Sequence, residues 1–209
     1  MDSIVVVGGG GHAKVLVSVL KTMRWDVIGY TDPRNRGVIL GAPYLGDDAV
    51  LADLLATYAG CQAIIGLGKI DTSPLRIRMQ AEIMTLGFGF PVIVSPRAVV
   101  NAEVELGPGT TVLDGVVVNT GTVTGSGCII NTNSTVEHDG RIGDNVHIAS
   151  GATVSGGVTI GDNCLIGAGA TLVQGLSICD DCLIGAGAAV VRDIPRPGTY
   201  VGVPARRAE

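Results

Sequence analysis

Residues 142–160 read IGDNVHIASGATVSGGVTI, and Ile142, Ile148, Val154 and Ile160 stand six positions apart. Stepping by six in both directions carries the register from Val94 through Val100, Leu106, Val112, Val118, Thr124, Ile130 and Val136, and on through Ile166, Leu172, Ile178 and Ile184 to Val190. Sixteen of these seventeen positions are Val, Ile or Leu, and the exception, Thr124, is β-branched. Two residues before each lies a register of mostly small side chains, among them Ala98, Thr110, Cys128, Ser134, Gly140, Ala152, Cys164, Ala170, Cys182 and Ala188. Glycine often follows the aliphatic residue, as at Gly107, Gly143, Gly161, Gly167 and Gly185.

A period of six matches neither the 3.6-residue turn of a helix nor the two-residue alternation of a strand. It matches a solenoid in which each hexapeptide forms one side of a triangular prism. A short strand points its aliphatic residue inward, and a corner needing small residues and positive φ follows. Three hexads close one coil of eighteen residues, so Val100 to Val190 predicts about five coils, enough to bury a continuous core by stacking. A sandwich of short strands would not hold one phase over 97 residues.

The composition suits thin coils: 32 Gly and 3% aromatic residues in a chain of 209. The mean hydropathy of +0.46 is assigned to the prism interior, because no run of about eighteen apolar residues marks a membrane span. The opening MDSIVVVGGGG lacks a basic n-region and is not read as a signal peptide. Net charge is −5, and the one basic cluster is Arg206-Arg207, so nucleic acid is not expected as a partner. Of five Cys, residues 128, 164 and 182 occupy the small inward register and read as core. Cys179 and Cys182 form a lone C-x-x-C with no second pair, so no metal site is expected. A reducing, cytoplasmic location follows from this cysteine usage.

Ahead of the solenoid, residues 3–7 read as a buried strand broken by Gly8-Gly9-Gly10-Gly11. A helix from about His12 to Met23 follows, with Val15, Leu16, Val19 and Leu20 as its apolar face. Strands at 26–31 and 61–66 and helices at 50–58 and 73–86 complete a βαβ pattern, a small parallel sheet with helices against it. The division is placed at 1–94 for this unit and 95–209 for the solenoid. The spacing Gly8-x-Gly10-x-x-Ala13 after a strand, with Asp32 ending the next strand, predicts a loop that meets a diphosphate through backbone N–H groups. The unit is too short for the six-stranded sheet that usually holds NAD. Three His occur: His12 opens the first helix, His138 lies between Glu137 and Asp139, and His147 precedes inward Ile148. His138 and His147 are half a coil apart, so they need not be neighbours within one chain, yet both can line a groove between two prisms. Pro195, Pro197 and Pro204 end the solenoid and cap its last coil.

The hexads, the Gly202-Val203-Pro204-Ala205 ending, the Gly9-Gly10-Gly11-His12-Ala13 opening, Asn131-Thr132 and Glu137-His138-Asp139 together resemble one family. It is the sugar-nucleotide acetyltransferases of the left-handed β-helix class, and sialic acid O-acetyltransferases are close relatives. The resemblance covers nearly the whole chain and implies a left-handed coil, a hand that periodicity cannot fix and that runs against the ordinary right-handed crossover. It further implies a homotrimer with sites in the grooves between prisms. His138 is then the general base, tuned by Asp139 where the best-known member carries Glu. His147, the Gly156 N–H, Ala168 and Ala186 are implied on the acetyl-CoA side. Gly8, Gly9, Gly10, Gly11, His12, Asp32, Lys69 and Asn131 are implied for the sugar nucleotide. The chain departs from the family at Gly66-Leu67-Gly68-Lys69, where members often carry Gly-Asp-Asn. The implied activity is N-acetylation of a nucleotide-linked deoxy-amino sugar for surface glycan synthesis, with acetyl-CoA as co-substrate and no tightly bound cofactor. Two alternatives stay open: sialic acid O-acetylation, and a non-catalytic hexad assembly protein. Of the latter, carbonic-anhydrase-like members need three zinc-binding His, whereas the solenoid holds two.

Overall fold

The computed structural model describes residues 2–208 and divides into two compact units. One runs to Gly68 and resumes over Leu75–Pro96; the other takes Lys69–Pro74 and everything from Arg97 on. The segment 69–74 thus belongs with the solenoid, which a single cut at 94/95 does not provide for.

In the first unit, β1 (Ser3–Val7), α1 (Gly11–Thr22), β2 (Asp26–Thr31), β3 (Tyr44–Gly46), α2 (Leu51–Thr57), β4 (Gln62–Ile65) and α3 (Leu75–Thr85) follow in order. The strands form one parallel sheet in the order β3-β2-β1-β4. Alternation along β1 sends Val5 and Val7 into a core with Leu51, Ala63, Ile65, Ile83 and Phe90, beneath α2 and α3. Val6 faces α1, as the close approach of both Val6 and Ala13 to Gly66 shows. The apolar face of α1 comprises Ala13, Leu16, Val17, Val19 and Leu20. Val15, expected among them, is 41% exposed because it lies on the far side of the helix. The third strand of the sheet, β3, falls in a stretch that reads as loop.

In the second unit, two-residue strands recur along three parallel sheets, each strand pairing with the one eighteen residues on: Ile130 with Ile148, Val136 with Val154, Ile142 with Ile160. Positions 112, 118, 130, 136, 142, 148, 154, 160, 166, 172, 178, 184 and 190 are all buried, and so are Cys128, Cys164 and Cys182. The corners use two kinds of glycine. From Glu103 to Gly187 the residue three past the inward position has positive φ at each corner: Gly at 109, 115, 121, 127, 151, 157, 169, 175 and 187, Asn at 133, 145 and 163, Asp at 139 and 181, and Glu at 103. The glycine directly after the aliphatic has ordinary φ and is needed for space instead. A Cβ on Gly167 would lie 2.6 Å from the backbone of the next coil, so the coils stack only with hydrogen there. Corner carboxylates also tie coils together: Asp144, Asp162 and Asp180 accept the backbone N–H of Ser126, Asp144 and Asp162. At the end, Gly198–Val201 adds one more parallel strand, and Arg206–Arg207 folds back antiparallel upon it. This hairpin covers the open edge of that sheet.

Candidate active site

Asp139 occupies a corner position with φ of 59°, a conformation that Asp and Asn tolerate far better than longer or branched residues. That backbone geometry turns its carboxylate back to His138, whose Nδ1 lies 2.8 Å from Oδ2. A carboxylate only accepts, so Nδ1 carries the proton and the Nε2 lone pair faces away from Asp139. One coil on, a Cβ built on Gly156 would lie 2.5 Å from Nε2 and 2.7 Å from Cε1. The imidazole therefore occupies the space that the missing side chain leaves. His138, Gly156, Gly157, Gln174 and Gly175 line an open groove of about 390 Å³. Gly157 donates to the His138 carbonyl at 2.8 Å and Ser155 to Leu172 at 3.1 Å. Between them, the Gly156 N–H has no acceptor among the described residues. The groove thus combines an oriented imidazole with a backbone N–H that has no acceptor among the described residues.

His147 is placed elsewhere. Asn131 fixes its own amide by accepting from the Thr132 N–H at 2.8 Å, which turns its Nδ2 toward His147 Nε2 at 3.1 Å. His147 Nδ1 then donates to the Lys69 carbonyl at 2.8 Å. Both ring nitrogens are engaged in the neutral tautomer. Asn145 Nδ2 holds the Ser73 carbonyl at 3.2 Å, so the segment 69–74 is fastened to the coils at two points. Lys69 is 4% exposed, and its ammonium donates to Ser73 at 3.2 Å. Ala168 and Ala186 are exposed and stack one coil apart, but on a different corner of the prism from His138 and Gly156.

In the first unit the glycine loop joins β1 to α1. Gly8 has φ of 105°, and its Cβ would press on the Gly66–Leu67 backbone. Gly9 packs against the Tyr30 ring, where a Cβ would lie 2.5 Å from the nearest ring carbon. Gly10 and Gly11 face open space, Gly10 caps α1 without a side-chain bond, and the first turn holds no acid. His12 is half-buried on that turn. Asp32 is tied to the same loop: Oδ2 accepts the Gly9 N–H at 2.9 Å, and Oδ1 accepts the Arg34 N–H at 2.9 Å and Arg36 Nε at 3.3 Å. Burial opposes its ionisation, but the backbone donors of Arg34 and Gly9 and the charge of Arg36 outweigh it, so the carboxyl lies below its ordinary range. Arg76, which the sequence reading passed over, is buried at 4% exposure and donates to the Leu67 carbonyl. Gln174 was missed as well, although its place 36 residues after His138 puts it on the same corner. Among the described residues, no group of three or more His, Cys, Asp or Glu is arranged to hold a metal ion. No helix there is long and apolar enough to cross a membrane.

A left-handed parallel β-helix of hexapeptide repeats, with a His–carboxylate pair on one corner and a small parallel α/β unit before it, defines an acetyltransferase of the hexapeptide class. Residues 3–76 match the PglD N-terminal domain, and residues 157–192 match the hexapeptide repeat of succinyl-transferase. The acetyltransferase domain of PglB from Neisseria gonorrhoeae FA1090 is 32% identical with a TM-score of 0.93, over all of both chains. A histidine-to-asparagine variant of perosamine N-acetyltransferase from Caulobacter crescentus, in complex with CoA and GDP-perosamine, is 33% identical with a TM-score of 0.94, over all of this chain and 98% of the other. WeeI from Acinetobacter baumannii AYE is 26% identical with a TM-score of 0.88, over all of both chains. No curated protein sequence matches significantly. The chain belongs to the sugar-nucleotide N-acetyltransferases with a PglD-type N-terminal domain.

Proposed function

We propose that the protein transfers acetyl from acetyl-CoA to the amino group of a nucleotide-linked deoxy-amino sugar. The observation that carries the reading is the His138–Asp139 pair, with Nε2 aimed over Gly156 into the groove. The similar perosamine enzyme, crystallised with CoA and GDP-perosamine, supplies the substrate class. The sugar amine attacks the thioester carbonyl while His138 Nε2 takes its proton. Asp139 keeps the proton on Nδ1 and stabilises the imidazolium that forms. The Gly156 N–H offers a hydrogen bond to the oxyanion. Collapse of the tetrahedral intermediate breaks the C–S bond, and the imidazolium proton goes to the departing sulfur, giving the amide and CoA thiol.

The active form is a homotrimer in this reading. The His138 column and the Ala168–Ala186 column lie on different corners of one prism, so a groove using both takes one corner from each of two chains. Light scattering should give three times 21.2 kDa. The first unit takes the sugar nucleotide at the open face of Gly10 and Gly11, with His12 beside it. There Asp32 acts by fixing the loop through Gly9. His147, Asn131 and Lys69 hold the segment 69–74, and the backbone they position borders the substrates. The free thiols of all five Cys suit a cytoplasmic enzyme. The test is mass spectrometry of UDP-, GDP- and dTDP-linked amino sugars after incubation with acetyl-CoA. An acetyl group on nitrogen supports the reading; acetylation confined to hydroxyl-only acceptors such as sialic acid overturns it.

A further inference from the structure

Arg36 is held in place along its whole length. Its backbone N–H donates to the Tyr30 hydroxyl at 2.8 Å, and that hydroxyl donates to the Gly37 carbonyl at 2.7 Å. Tyr30 is fully buried, with its ring against Gly9. The Arg36 stem crosses the same glycine: a Cβ on Gly9 would lie 3.1 Å from its Cγ. Asp32 fixes the next atoms along, accepting from Arg36 Nε at 3.3 Å through Oδ1 and from the Gly9 N–H at 2.9 Å through Oδ2. Arg36 is thereby pinned to the turn between β1 and α1, while its two Nη groups bond to nothing among the described residues. An acid at the end of the second strand ordinarily takes a ribose hydroxyl. Here Asp32 already accepts three protein donors and aims Arg36.

Holding an arginine side chain in one geometry costs rotamer entropy, and an open planar fork so held is preorganised for the oxygens of a phosphate. Beside it, α1 opens with no acid in its first turn, and Gly10 and Gly11 meet nothing within 4 Å. The first N–H groups of a helix lack intrahelical acceptors. Two independent anion donors therefore adjoin one turn of chain. The helix start can meet one phosphate, and the Arg36 fork can meet a second. A monophosphate satisfies only one of them, and a free sugar neither.

We infer that Arg36 is a specificity residue of the acceptor site, selecting sugars linked to a nucleoside diphosphate over those linked to a nucleoside monophosphate. Asp32 is its positioning residue. The inference rests on the sugar-nucleotide reading above and adds which linkage that site accepts.

The test is calorimetric titration of the full chain with UDP, GDP and dTDP, and with the matching monophosphates UMP, GMP and dTMP. For the base that binds most tightly, the parent should prefer the diphosphate by about tenfold or more, the scale of a charge-assisted hydrogen bond. In Arg36→Ala, diphosphate affinity should fall to the monophosphate value while monophosphate affinity stays unchanged. Arg36→Lys keeps the charge without the fork and should fall between the two. Arg34→Ala should keep the preference, because only its backbone N–H serves Asp32. Arg36→Ala removes a half-exposed side chain and keeps the N–H to Tyr30, so it should melt close to the parent. Equal affinity of the parent for the two nucleotides overturns the inference and leaves the sugar-nucleotide reading standing. So does a preference that survives in Arg36→Ala, or one lost equally in Arg34→Ala, which would assign it to the general field. Failure of every diphosphate to bind the parent removes that reading, and the role of Arg36 with it.

Discussion

Gly156→Ala should disable the enzyme without unfolding it. The new Cβ would lie 2.5 Å from His138 Nε2, whereas ordinary contact begins at 3.4 Å, so the ring must retreat by about 0.9 Å. The His138 side chain is 60% exposed and has solvent to move into, which keeps the cost to stability small. Gly156 does not have positive φ, so alanine adds no backbone strain. A surface change of this kind stays within about 0.5 kcal/mol. Catalysis is less forgiving, because misplacing a reacting group by about 1 Å costs on the order of 10²-fold in rate. The assay follows CoA thiol release at saturating acetyl-CoA and acceptor, alongside a thermal melt. A folded variant with kcat reduced about 10²-fold is expected. Parental kcat in a variant of unchanged melting temperature would refute the placement of the base over Gly156.

Asp139→Asn keeps a residue that tolerates φ of 59° and should melt like the parent, whereas Asp139→Ala should lose about 1 kcal/mol of stability to left-handed strain. Both should lower kcat, by less than deleting His138, because only the orientation of the imidazole and the charge beside it are lost. The Asp32 carboxyl titrates below its ordinary value near 3.8, so its stabilising effect is present above that value and fades as pH falls through the lower, folded one. Asp32→Asn should therefore melt below the parent at pH 7, and differential scanning calorimetry should show the gap closing in acid. Gly167→Ala drives a Cβ to 2.6 Å from the next coil's backbone and should destabilise by about 1–3 kcal/mol. Gly10→Ala meets nothing within 4 Å and should leave the melt unchanged.

Much of the solenoid was readable because a hexad repeats one environment: each inward aliphatic meets its copy eighteen residues on, and the phase survives any single substitution. The glycines were harder to read. Those after the aliphatic look like turn residues, but their work is to let coils approach, while positive φ falls two positions later and is shared with Asn and Asp. That sharing lets Asp139 both turn a corner and accept a hydrogen bond from His138 Nδ1, which its letter alone does not reveal. The His138 pair was legible because its members adjoin in sequence. The partners of His147 were not, since its hydrogen bond to Lys69 joins positions 78 apart. Asp32 was visible as an acid at a strand end, but its hold on the Gly9 N–H depends on a loop path that composition does not fix. The strand β3, three residues long, carries too little periodicity to stand out, and Arg76 reads as a surface residue until the loop it anchors is seen.

The central claim is that His138 takes the proton of an attacking sugar amine. The most direct measurement compares the parent with His138→Ala by single-turnover acetyl transfer from acetyl-CoA to the nucleotide-linked amino sugar, with CoA binding measured in parallel. Transfer slowed by about 10²–10⁴-fold, with CoA affinity intact, is the predicted result. A variant that turns over at the parental rate near neutral pH would contradict it.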